Sequence, residues 1–96
     1  MGRVATLAEI VERLIEFDCN DTIYASEPWT DRSYAIVALE PASGGLPTGA
    51  VEGGMKYFLE ISIAKDFTEG WIGSSNDNPS SLEICRRLIQ YAINDA

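Results

Sequence analysis

The chain has 96 residues, 46% hydrophobic and 23% charged, with 15 acidic side chains against 7 basic ones and a net charge of −8. That length accommodates one core, so residues 1–96 are expected to form a single domain, and the acidic excess works against nucleic acid and in favour of a basic partner. Histidine is absent, which removes the side chain that most often moves protons near neutral pH. Any catalysis would then fall to carboxylates, cysteine, tyrosine or a bound cofactor.

In chain order, Leu7, Ile10, Val11, Leu14 and Phe17 share one helical face and predict an amphipathic helix over 6–17, with Glu9, Glu12, Arg13 and Glu16 outward. Thr6 and Glu9 have the spacing of a capping box, and Glu9 and Arg13 that of an i, i+4 ion pair. The turn formers Asp18-Cys19-Asn20-Asp21 end the helix. Residues 22–26 predict a short strand. Glu27-Pro28-Trp29-Thr30-Asp31 predicts a loop, because proline cannot donate to a ladder. Residues 33–40 form the clearest strand; both of its faces are apolar, which points to the central position in a sheet.

Residues 41–54 carry five glycines and two prolines and are expected to lack regular structure. A loop of this length in so small a domain tends to carry function or motion. In residues 55–61, Met55, Tyr57, Leu59 and Ile61 alternate with Lys56, Phe58 and Glu60, the pattern of a half-buried strand. Residues 62–73 predict a short helix from Ile63, Ala64, Phe67 and Trp71, with Ser62 as its cap and Gly70 weakening it. A polar loop follows, and a last helix runs to about Asn94. Asn78-Pro79 or the pair Ser80 and Glu83 opens it, and its core face is Leu82, Cys85, Leu88, Ile89 and Ala92. The expected architecture is α+β in the order α-β-β-β-α-α: a small antiparallel three-stranded sheet with helices packed on one face.

No catalytic or metal motif emerges. The glycines of 41–54 lead into a strand and lack the Lys-Ser/Thr of a phosphate-binding loop. Asp18 with Asp21, and Glu27 with Asp31, read as solvated turn carboxylates rather than an acid–base pair. Neither Asp18 with Asp21 nor Asp77 with Asp95 has calcium-loop spacing. Cys19 and Cys85 are too few for a zinc site without histidine, and Cys85, mid-helix on an apolar face, reads as core. No cofactor or metal is therefore expected. No apolar run reaches the ~20 residues of a membrane span. Met1-Gly2-Arg3-Val4 leads straight into an acidic amphipathic helix instead of an apolar signal segment, so a cytoplasmic location with reduced thiols is expected. Trp29, beside Pro28 and between Glu27 and Asp31, reads either as a binding anchor or as a lid on the core; Trp71 reads as core.

Thr6-Leu7-x-Glu9-Ile10, Asp21-Thr22-Ile23-Tyr24 followed by a loop Trp29, Gly54-Met55-Lys56-Tyr57-x-Leu59-x-Ile61 before a helix, and a closing Tyr91-x-x-Asn94-Asp95-Ala96 occur in this order. The set is similar to a family of small, acidic, uncharacterised bacterial proteins, some of whose members look like immunity proteins of toxin systems. The chain departs from that pattern in closing on Ala96 without an aromatic tail and in its glycine-rich stretch at 43–54. The resemblance implies a bacterial, non-catalytic binding protein and brings no site residues.

Three readings follow. The first is a protein-binding module, an immunity-protein-like inhibitor of a basic partner, with Glu27, Trp29 and Asp31 and the 43–54 loop as its contact residues. The second is a small-ligand or carboxylate-based enzyme site, in which Tyr24, Tyr34 and Tyr57 line a pocket around a buried carboxylate. The third is a homodimer that buries the aromatic strand face.

Overall fold

The computed structural model describes residues 4–42, 45–74 and 80–95, with the backbone alone for 71–74 and 95. The elements are β1 (Ala5–Thr6), α1 (Leu7–Glu12), a tight turn of 3-10 helix (Leu14–Glu16), β2 (Asp21–Ser26), β3 (Tyr34–Leu39), α2 (Thr48–Glu52), β4 (Met55–Glu60), α3 (Ile61–Ser74) and α4 (Ser81–Asp95). The class is α+β, but the sheet has four antiparallel strands in the order β1-β3-β2-β4, not three. The expected order α-β-β-β-α-α is corrected at two points. Ala5 and Thr6 pair with Ala35 and Tyr34 before α1 begins, and a short helix interrupts the glycine-rich stretch.

Both corrections have local causes. Two residues are too few to display an alternating pattern, so β1 leaves no periodic signal. In 41–54, Pro47 stands just before α2 with φ −65° and ψ 156°, an extended geometry that suits a helix entry and whose φ its ring fixes in advance. The helical turn then buries Ala50 against Tyr24, Ile36 and Met55. Gly54, at φ +67°, provides the left-handed residue that turns the chain from α2 into β4. The loop expectation for these residues therefore fails at Thr48–Glu52.

The predicted helix at 6–17 has the right face and a break. Thr6 Oγ1 accepts from Glu9 N at 3.2 Å, and Glu9 Oε1 accepts from Thr6 N at 3.1 Å, completing the capping box. Leu7, Ile10, Val11 and Leu14 are buried. At Arg13 the backbone N–H is shared between the Glu9 and Ile10 carbonyls, and the chain tightens into the 3-10 turn. In α4, Ser80 Oγ accepts from Glu83 N at 3.2 Å, so Ser80 provides the cap; Asn78 and Pro79 lie outside the described residues, as does the Trp71 side chain.

As expected for residues 33–40, β3 is an inner strand of the sheet, between β1 and β2. The strand paired along its whole length is β2, which bonds β3 on one side and β4 on the other. Its Thr22, Ile23, Tyr24 and Ala25 are all buried. Among the described residues β1 pairs with β3 at Tyr34 and Ala35. The main core gathers Leu7, Ile10, Val11 and Leu14 with Ile23, Ala25, Phe58 and Leu59 of the sheet and Ile61, Ala64, Cys85, Leu88 and Ala92 of α3 and α4. The second cluster, Tyr24, Ile36, Ala50 and Met55, lies on the opposite sheet face under α2. Helices therefore cover both faces, not one.

Ile23 has no exposed surface, whereas Ile15 is 87% exposed. Ile23→Ala is expected to cost about 2–5 kcal/mol in urea unfolding and Ile15→Ala less than about 0.5 kcal/mol. Equal losses at the two positions would contradict this core.

Candidate protein-binding surface

β3 lies between two grooves, one on each face of the sheet. Val37 and Leu39 look toward α1 and share a groove of about 620 Å³ with Val4, Ala5, Ile10 and Phe17; Glu9, Arg13 and Asp21 also line it. On the other face Tyr34 and Ile36 share a groove of about 740 Å³ with Pro47, Gly49, Gly53 and Met55, and Glu52 lies at its side. Strand alternation produces this division: odd-numbered side chains go to one face and even-numbered ones to the other. Several apolar groups here remain open to solvent: Val4 is 58% exposed, Tyr34 65% and Leu39 65%. Glu9, Glu52 and Glu40, the residue after Leu39, are exposed, and Asp21 is half-buried. Among the described residues four carboxylates therefore stand around this surface, against the guanidinium of Arg13.

The loop at Glu27–Asp31 stands at the other end of β3. Trp29 is half-buried; its indole N–H donates to the Ala25 carbonyl at 3.2 Å, and its ring meets Phe58 edge-on at 5.0 Å. Of the two readings weighed for this tryptophan, the geometry is that of the lid. Glu27 is exposed and Asp31 half-buried. The Asp31 carbonyl accepts from Ala8 N at 3.0 Å, and buried Ser33 ties the loop with its hydroxyl to Thr30 N and the Pro28 carbonyl. The three residues thus share one braced loop, with Glu27 exposed, the Trp29 ring against Phe58 and Asp31 half-buried.

The tyrosines separate by environment. Tyr24 and Tyr57 meet edge-on at 6.4 Å, and Tyr57 Oη donates to Glu60 Oε2 at 3.4 Å. Burial pushes both phenols above their ordinary range. The Glu40 charge adds to this at Tyr24, where nearby Thr22 opposes it weakly; at Tyr57 the Glu60 carboxylate adds most after burial. The Tyr24 hydroxyl has no well-formed hydrogen bond among the described residues. A carboxylate-based active site needs a buried acid, and the buried polar side chains described are Thr22 and Ser33. Asp18 and Asp21 belong to a turn: Asp18 Oδ1 accepts from Asn20 N at 2.8 Å, and the Asp18 carbonyl accepts from Asp21 N at 3.0 Å. Among the described residues no group of three or more acidic or cysteine side chains is placed to hold a metal ion, and no helix is long and apolar enough to cross a membrane. Asp77 lies outside the described residues, as does the Asp95 side chain.

Sequence reasoning missed the grooves because they depend on where β1 stops and α2 begins, and neither boundary is legible in the pattern of residues. The one available signal was the pair of apolar faces on 33–40, which reads as well for a strand between two grooves as for a central one. No family model matches the chain, and no match to it was found among curated proteins or solved structures.

Cys19 is exposed, with Lys65 Nζ 3.7 Å from its sulfur, and Cys85 is buried. Burial first, then the Asp31 carboxylate, push the Cys85 thiol up to about 11, against a smaller opposite pull from Arg86. Iodoacetamide is expected to label Cys19 alone in the native protein and both thiols after unfolding. The folded thiol keeps its proton to a higher pH than the unfolded thiol at 9.0. Its contribution to stability is therefore complete below about pH 9 and declines by roughly 2–3 kcal/mol toward pH 11. Urea unfolding across this range should show the decline, and Cys85→Ala should reduce it; an unchanged slope in that variant would refute the assignment.

Proposed function

We propose that this chain is a non-catalytic protein-binding module of the bacterial cytosol, an immunity-protein-like inhibitor whose partner is basic. The observation that carries the reading is the exposed apolar surface on both sides of β3, lined by Val4, Tyr34 and Leu39 and surrounded by Glu9, Asp21, Glu40 and Glu52 against Arg13. Apolar contact area stabilises a complex, while the surrounding carboxylates steer a basic protein toward it and repel acidic competitors. The whole-molecule charge of −8 acts in the same direction at long range.

Exposed Glu27 adds a carboxylate at the far end of β3, with half-buried Asp31 in the same loop, and Trp29 contributes by holding that loop against Phe58. The small-ligand and enzyme reading is less well supported, because both grooves are broad and the described residues place no buried carboxylate in them. The homodimer reading sets two like charges of −8 against each other.

A native pull-down with the tagged protein, followed by mass spectrometry, tests the proposal. One basic protein is expected in stoichiometric amount. Its association rate should fall as salt rises from about 0.1 to 1 M, where the screening length contracts from about 10 to 3 Å. Recovery of no basic protein, or of a partner indifferent to salt, would refute it.

A further inference from the structure

We infer that Cys19 and Lys65 together form a peroxide-responsive modification site, in which oxidation of the thiol joins the Cys19 sulfur covalently to the Lys65 amine. The inference does not rest on the protein-binding reading above.

The first ground is the meeting of two reactive groups. Cys19 lies exposed in the turn between the 3-10 helix and β2, and Lys65 stands early in α3, 46 positions further along the chain. The fold brings Lys65 Nζ to 3.7 Å from Cys19 Sγ. The second ground is that the amine is held in place. Lys65 is half-buried, and its Nζ donates to the carbonyl of Phe17, the residue that ends the 3-10 turn, at 2.7 Å. A lysine head on its flexible stem ordinarily samples many positions; this one is fixed beside the sulfur, so its reaction there is intramolecular and gains a high effective concentration. The third ground is access. The other cysteine, Cys85, is buried in the main core, so in the folded protein Cys19 is the thiol that a peroxide reaches, and the same chain exposes no second thiol to form a disulfide with it. The nucleophile at hand for an oxidised Cys19 is the Lys65 amine.

The chemistry balances with hydrogen peroxide as the oxidant. The Cys19 sulfur attacks one peroxide oxygen and the O–O bond breaks, giving a sulfenic acid and water; the sulfur loses two electrons, which reduce the peroxide. A sulfenic acid is electrophilic at sulfur and condenses with thiol or nitrogen nucleophiles. The Lys65 ammonium releases one proton to water, its lone pair displaces the hydroxyl from sulfur, and a second Nζ proton leaves with that hydroxyl as water. An S–N bond has formed and an S–O bond has broken, and Nζ keeps one N–H for the Phe17 carbonyl. A dithiol reductant returns the amine and the thiol and is itself oxidised to a disulfide. The bond ties the turn before β2 to α3 and closes a long loop, which restricts the unfolded chain and raises resistance to unfolding.

The test treats the full chain with hydrogen peroxide and follows it by intact mass and by peptide mapping. The expected product is a monomer lighter by about 2 Da, with fragmentation placing the link between Cys19 and Lys65, and dithiothreitol restores the starting mass. The product should unfold at higher urea than the untreated protein. Cys85→Ala should give the same link, which separates it from a Cys19–Cys85 disulfide of equal mass; fragmentation of the wild-type product makes that distinction independent of the variant's folding. Lys65→Arg keeps the positive charge and the donors for the Phe17 carbonyl, but its guanidinium does not lose a proton to become a nucleophile. That variant should form no link, should show no rise in urea resistance, and should accumulate sulfenic acid that dimedone traps at least about fivefold more than in wild type. Equal dimedone labelling of the two proteins, a stable gain of oxygen at Cys19 without a link, a link mapped to any residue other than Lys65, or a dimer joined through two copies of Cys19 would overturn the inference.

Discussion

Burial of β2 on both of its faces is the constraint on which the rest of the molecule depends. One face puts Ile23 and Ala25 against α1, α3 and α4; the other puts Tyr24 under α2. A strand in that position needs a partner on each edge to satisfy its peptide groups, and β3 and β4 provide them. β3, the other inner strand, pairs with β2 along one edge and, among the described residues, with the two residues of β1 along the other.

The two clusters differ in how they are sealed. The main core has three helices and the Trp29 lid, with the indole N–H satisfied by the Ala25 carbonyl. The second has one helical turn, and its largest member, Tyr24, keeps a buried hydroxyl without a well-formed bond among the described residues. A buried hydroxyl left so costs free energy that a filled partner site would have avoided. The face under α2 is also the one where Tyr34 and Tyr57 remain open.

Legibility in the sequence followed the length of each element and the strength of its period. The face of α1, the Thr6–Glu9 box and most of the buried side of α4 were readable because each repeats a pattern over several residues, though Leu82 of that side is exposed. The strand at Met55–Glu60 was readable in extent but not in face, since an irregularity in its pairing with β2 brings Phe58 and Leu59 together into the main core and leaves Tyr57 exposed. β1 was not, since Ala5 and Thr6 acquire strand geometry only from Ala35 and Tyr34 far along the chain. α2 was hidden by composition: glycine and proline count against a helix on average, yet Pro47 stands at the one position where its fixed φ assists, and Ala50 supplies the packing. The two apolar faces of 33–40 did read correctly as an inner strand, with Val37 packing toward the main core and Ile36 in the second cluster; what they could not show is that β2 shares the interior and is the more deeply buried of the two.

From Tyr34 to Leu39 this strand has neither a charged residue nor a proline, and its Tyr34 and Leu39 are exposed. Apolar surface of this kind invites unwanted association unless charge deters it. Among the described residues that line the two grooves, the carboxylates of Glu9, Asp21 and Glu52 stand beside this surface, and Glu40 follows Leu39 directly. Like charge opposes a second copy of a chain whose net charge is −8. In the free protein the exposed Leu39 and Tyr34 are therefore an apolar cost that the charge around them renders tolerable.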